Sequence, residues 1–149
     1  MPRRLPKLVL PALLAASSIA ASCSRDQGPP RDARAEATVS AAQRLQGRWL
    51  LQSFQPVAQL EFALQAMLNA QIGQLVVEVN GMNMSIRGPG VAVPRTYRID
   101  EAYSDHIQLM VFDRYGVGFR ATGDFNGNTL LFAGTEAPWA GRGTLVRVP

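Results

Sequence analysis

Apolar and polar positions alternate most regularly between Leu75 and Ile86. Leu75, Val77 and Val79 alternate up to Asn80-Gly81, and Met82, Met84 and Ile86 alternate away from it. A period of two is that of a strand with one buried face, and Asn-Gly between two such runs favours a tight type I′ turn. The pattern predicts a hairpin that pairs Val79 with Met82, Val77 with Met84 and Leu75 with Ile86 on one face.

The same period recurs along most of the chain. Trp49, Leu51 and Ser53 alternate with Leu50, Gln52 and Phe54, which predicts a first strand entered through Gly47. Pro56 closes that strand and suits the first turn of a helix. Over residues 57–72, Leu60, Ala63, Leu64, Met67 and Leu68 share one face at helical spacing, and Gly73 is a natural stop. Phe62 projects from the polar side of this helix. After Gly88-Pro89-Gly90 come Val91, Val93, Tyr97 and Ile99, then 106–112, then Val117, Phe119 and Ala121. A second Asn-Gly at 126–127 leads into 130–133, and 144–148 is the last run. Eight short strands joined by tight turns predict an all-β fold, an antiparallel meander closing into a small barrel, with one helix between strands one and two.

The N-terminal pattern is different in kind. Arg3, Arg4 and Lys7 precede an apolar run from Leu8 to Ala16, followed by small residues up to Cys23. These are the three parts of a secretory signal, and the run is too short and too interrupted by Pro11 for a permanent span. Ala20-Ala21-Ser22-Cys23 resembles the lipobox of bacterial lipoproteins, which implies cleavage after Ser22 and acylation of Cys23. Residues 24–43 are poor in large apolar side chains and predict a flexible tether, about 25 Å in mean span. The expected organisation is thus a signal over 1–22, an acylated N-terminus and tether over 23–44, and the barrel over 45–149.

Charge changes the picture only by what it removes. The chain of 149 residues carries 15 basic and 11 acidic side chains, and the signal takes three basic and no acidic ones with it. The remaining twelve against eleven leave the exported chain close to neutral, so no nucleic-acid surface is expected. One cysteine excludes an intrachain disulfide, and the barrel must stand on its core.

Gly47-Arg48-Trp49 at the head of the first strand resembles the Gly-x-Trp motif of the calycin superfamily, which joins lipocalins and fatty-acid-binding proteins. The closing strand from Gly143 to Val148 resembles that of small bacterial lipocalin-like domains. The resemblance implies a lipocalin-like barrel in which a late arginine packs over Trp49, with Arg147 the first candidate and Arg142 the second.

The exported chain has a single histidine, no lysine and, with Cys23 acylated, no free thiol. Cys–His nucleophiles, lysine Schiff bases and Ser–Lys dyads are excluded on that ground. A Ser–His–Asp arrangement could use only His106, which stands beside Asp105 in a turn. Asp124 opens a calcium-like run, but its glycine is at the fourth position and Thr135 stands at the twelfth, where a bidentate Glu is required. No cofactor or metal is expected. What remains is apolar: Met67, Met84, Tyr97, Phe112 and Phe119 are candidate cavity residues, unless they simply fill a narrow barrel. The expectation is a non-enzymatic lipoprotein of the bacterial envelope, held on the outer membrane facing the periplasm, that binds a small hydrophobic ligand. The competing expectation is a solid barrel that contacts an envelope protein partner through Phe62 and Trp139.

Overall fold

The computed structural model describes residues 31–136 and 140–149. The signal, Cys23 and Trp139 lie outside the described residues. Among the described residues two helices, α1 (Arg31–Leu45) and α2 (Phe62–Gln71), accompany eight strands. The strands are β1 (Gly47–Pro56), β2 (Val76–Asn80), β3 (Asn83–Gly88), β4 (Val91–Tyr103), β5 (His106–Phe112), β6 (Gly118–Asn126), β7 (Thr129–Gly134) and β8 (Gly141–Val148). Each pairs antiparallel with its chain neighbour, and β8 pairs with β1 from Arg48↔Val148 to Pro56↔Gly141, which closes the barrel. Closure leaves no unpaired edge strand. In a closed meander the turns alternate between two ends. One end holds the turns after β2, β4 and β6 together with the start of β1; the other holds α2 and the connections after β3, β5 and β7.

The first end is sealed by an element the sequence pattern did not predict. Residues 31–44, expected to be part of a tether, form α1 together with Leu45, the residue expected to open the barrel. The segment has little apolar content, but it contains five alanines among arginine, glutamate and glutamine, all strong helix formers. Its few apolar contacts suffice because the barrel holds its C-terminus. Ala41 and Leu45 are buried, and the Trp49 indole Nε1 donates to the Leu45 carbonyl at 2.8 Å. Arg147 Nη1 donates to the Gln46 carbonyl at 2.7 Å, and Nη2 donates to that of Arg44. These are the carbonyls a helix C-terminus leaves without intrahelical donors, and a cation there also complements the helix dipole. The Arg44 guanidinium lies 4.4 Å from the Phe125 ring centre and 2.7 Å from Asp105 Oδ1.

Arg147 covers Trp49 as well, with 4.5 Å from the guanidinium carbon to the ring centre. Trp49 is 1 % exposed. Gly47, at φ +109°, turns the chain from α1 into β1, and a side chain there would crowd Arg147 Nη1. The Gly-x-Trp pattern therefore has a local physical basis: the glycine admits the arginine, and the tryptophan supplies both the ring beneath it and a donor to the helix.

The Asn80-Gly81 hairpin keeps the expected face but shifts the loop by one residue. The observed pairs are Val79↔Met84 and Val77↔Ile86, closed by Asn80↔Asn83, rather than Val79 with Met82 and Val77 with Met84. Positive φ falls on Gly81 and not on Asn80 or Met82, so Gly81-Met82 forms the loop with glycine first, the type II′ pattern. Contacts from outside the hairpin hold this form in place. The Gln46 amide brackets Gly81, accepting from its N–H at 2.7 Å and donating to its carbonyl at 3.2 Å, and the Tyr97 hydroxyl donates to the same carbonyl. The second hairpin repeats the geometry, with Asn126↔Thr129 closing a loop led by Gly127 at φ +58°.

The predicted helix over 57–72 is shorter in the structure. Pro56 stays in β1 opposite Gly141, and the Val57 N–H continues the ladder to the Ala140 carbonyl, so the chain is still extended where the helix was expected to begin, and α2 starts at Phe62. Its buried side chains are Leu68 and Gln71. Beyond the helix Ile72 is extended and Gly73 has φ +78°, the centre of a type II turn closed by the Gln74 N–H on the Gln71 carbonyl, and Gly73 donates to the Leu51 carbonyl, so the glycine marks the stop through a turn and not through a left-handed helix cap.

Trp49→Ala is expected to cost about 3–5 kcal/mol in urea unfolding. Arg147→Met should cost less, about 1–3 kcal/mol. It should also raise amide exchange in the last turn of α1 well above that in β4. Equal exchange in both elements would show that Arg147 does not hold the helix.

Candidate ligand cavity

The barrel is filled at the α1 end and open within at the other. Trp49, Ile107, Leu130 and Leu145, all buried, form a floor. Trp49 meets Phe125 in a tilted contact with ring centres 6.2 Å apart. Above the floor is a cavity of about 380 Å³ walled mainly by Leu51, Phe54, Val77, Met84, Val93, Val111, Phe119 and Phe132. Met67 of α2 and Thr135 and Glu136 of the β7–β8 connection line it and also reach solvent, which places the mouth between them.

Period-two geometry decides which expected residues face this space. Met84 and Phe119 point inward and line it, and Met67 reaches it from α2 while half exposed. Tyr97 and Phe112 do not line it. Tyr97 is buried but belongs to the sealed end, where its hydroxyl bonds Gly81 and receives the Gln46 amide at 3.2 Å. Burial pushes its phenol above the usual value, and the Gln46 contact pulls the other way. Phe112 is out of phase: Ile107, Leu109 and Val111 are the inward residues of β5, so Phe112 lies on the outer wall. There it packs over Gly118 beside Arg98, whose guanidinium is 5.9 Å from its ring centre.

Glycine and aromatic residues together shape the upper wall. Gly143 pairs with Phe54 on one side and Phe132 on the other, and their rings stack with centres 6.0 Å apart. A side chain at Gly143 would strike the Ser53 carbonyl and the Phe132 ring, and one at Gly141 would strike the Gln55 carbonyl and the Phe54 ring. The two rings thus occupy the inward space that β8 leaves empty, a cross-strand covering of glycine by aromatics. At Gly88 a side chain would collide with Gln71 Oε1, whose amide nitrogen donates to the Pro89 carbonyl at 2.9 Å. That contact seats α2 against the β3–β4 turn.

The polar atoms at the cavity were not anticipated. Arg95 occupies an inward position between Val93 and Tyr97, lines the cavity, and has only 15 % of its side chain exposed. Its Nη2 lies 2.8 Å from Glu136 Oε1. Among the described residues its Nε–H is buried without a partner, as is Gln71 Oε1. The signal was present in the sequence, since Val91-x-Val93-x-Arg95-x-Tyr97 puts one charge in an otherwise apolar row.

Phe62 is 90 % exposed and Val57 80 %, both on the β1–α2 segment at the open end. His106 Nδ1 lies 2.6 Å from Asp124 Oδ1 on the outer wall at the sealed end, away from the cavity. Asp124 thus faces a neighbouring strand rather than the hairpin loop after it.

Gly143→Val should displace the stacked pair, cost about 1–3 kcal/mol, and broaden the Phe132 ring resonances in an NMR spectrum. Unchanged stability would mean that the rings do not depend on the glycine. No family model, curated protein or solved structure matches this chain.

Proposed function

We propose that this chain is a non-enzymatic, lipid-anchored protein of the bacterial envelope whose barrel binds a small apolar or lipid-like ligand. The observation that carries the reading is the cavity of about 380 Å³, apolar except at its mouth, within the usual range of about 300–1,000 Å³ for small-molecule sites. An empty apolar void forfeits the dispersion contacts its lining would otherwise make, so an apolar ligand there replaces lost packing. The closed barrel and the Arg147–Trp49 contact support the lipocalin-like resemblance.

Anchoring rests on Cys23 and the signal before it. Each buried CH₂ of an acyl chain contributes about 0.8 kcal/mol, and more than one chain makes attachment durable. Ser24 after the acylated cysteine resembles the sorting pattern of outer-membrane lipoproteins, and the domain would face the periplasm. A second reading, contact with an envelope protein, is favoured by one observation: Phe62 and Val57 stand exposed together at the open end, and exposed aromatics are common interface anchors.

Two measurements check these readings. Purified as the full chain with Cys23→Ser, the protein should retain an apolar compound detectable by mass spectrometry of the extract. It should also bind a neutral fluorescent probe that Ala121→Leu, which fills the cavity, weakens at least about tenfold while Phe62→Ser does not. Loss of probe binding in Phe62→Ser alone would favour the surface reading. In cells, Cys23→Ser should move the protein out of the membrane fraction; a mature-sized protein that still pellets with membranes would refute the anchor.

A further inference from the structure

Arg95 is a cation set into an apolar wall, and its pairing is incomplete. A guanidinium presents five donors and favours a carboxylate that takes two of them side by side. Glu136 gives it one oxygen, at Nη2, and leaves the buried Nε–H with no acceptor among the described residues. The remaining described contact is a long one of 3.4 Å from Nη1 to the Pro94 carbonyl. A buried donor on a charged group left unpaired is costly and uncommon in native proteins. Glu136 itself is held less firmly. It stands in the connection after β7 rather than in a strand, with 35 % of its side chain exposed.

We propose that the Arg95–Glu136 ion pair is a latch on the cavity, and that the Glu136 carboxylate stands where the anionic head group of the ligand binds. The ligand is then an amphiphile with one carboxylate and an apolar tail. This inference rests on the ligand-binding reading above and narrows it. The tail fills the space between Met84, Phe119 and Phe132, and the head group meets Arg95 at the mouth. It takes both Nη2 and the vacant Nε–H in the side-by-side geometry Glu136 does not achieve. Glu136 swings out to solvent. One carboxylate replaces another, so the charge on Arg95 stays compensated throughout and no isolated buried cation is exposed during exchange. The exchange gains one additional charge-assisted hydrogen bond and the burial of the tail. A neutral head group cannot displace Glu136 and gains only the tail. The latch therefore selects acids over alcohols of the same length and sets a threshold that a weakly held anion does not pass.

The test uses the full chain carrying Cys23→Ser and a neutral naphthylamine probe displaced by dodecanoate or by dodecanol. In the wild-type cavity, dodecanoate should displace the probe at least about tenfold better than dodecanol. Glu136→Gln removes the competitor, and should tighten dodecanoate about tenfold while leaving dodecanol unchanged. Arg95→Gln should abolish the preference. Because Arg95 is buried, Arg95→Lys serves as a second variant; it keeps the charge without the fork and should retain only part of the preference. If Glu136→Gln leaves dodecanoate unchanged, or tightens dodecanol equally, the latch is refuted. Displacement by both compounds with equal strength would refute the latch while leaving the cavity reading intact. Displacement by neither would overturn both.

Discussion

Arg147 sits where three requirements meet, and the rest of the fold depends on its meeting them together. The closing strand must pair with the first, a polar helix must be held against the barrel, and a tryptophan must be buried with its N–H satisfied. Its guanidinium reaches the carbonyls of Arg44 and Gln46 while its face lies on Trp49. Trp49 in turn donates to Leu45. The contact joins β8, β1 and α1 across a sequence separation of about a hundred residues, so it forms only when the barrel closes. Stacking and hydrogen bonding use different parts of the guanidinium, the face and the edge, and so do not compete.

This dependence explains what was and was not legible in the chain. Strand positions were legible because each strand buries one face, and the face shows as a period of two whatever its partner. The inward residues Val77, Val79, Met84, Leu109, Phe119 and Leu130 follow that rule. Register was less legible. Asn80-Gly81 announces a turn, but in both hairpins the glycine rather than the asparagine takes the first loop position, and at Gly81 Gln46 and Tyr97 hold that form from elsewhere in the fold. Since the shift moves each partner by two residues, the buried face was preserved and nothing in the hairpin itself opposed it.

Helix α1 escaped for a related reason. Its stability is not written as an apolar stripe but as alanine-rich propensity and a C-terminus capped from a strand a hundred residues away. Phe112 was misplaced by chemistry overriding phase: a large aromatic in a barrel strand suggests the interior, yet the parity of Ile107, Leu109 and Val111 sends it outside. Arg95 shows the converse. Parity put it inside although its charge suggests the surface, and following the pattern against residue type would have located the polar part of the cavity.

The two ends of the barrel divide the work of the molecule. At the α1 end the interior is packed by Trp49, Phe125, Ile107 and Leu130, with Gly123 small because Ile107 and Leu130 already fill the space a side chain would need. At the other end Gly141 and Gly143 thin the inner wall, and Phe54 and Phe132 cover the gap without filling the space between them and Met84. A barrel of eight strands is just wide enough for either outcome, so the choice between core and cavity is made by a few side chains and not by the fold. Placing the filled half beneath the helix leaves the stabilising contacts at the sealed end, while the side chains at the mouth, Met67, Thr135 and Glu136, carry little of the core. Substitutions at the mouth can therefore alter what the cavity admits with little effect on the Trp49–Arg147 contact at the sealed end.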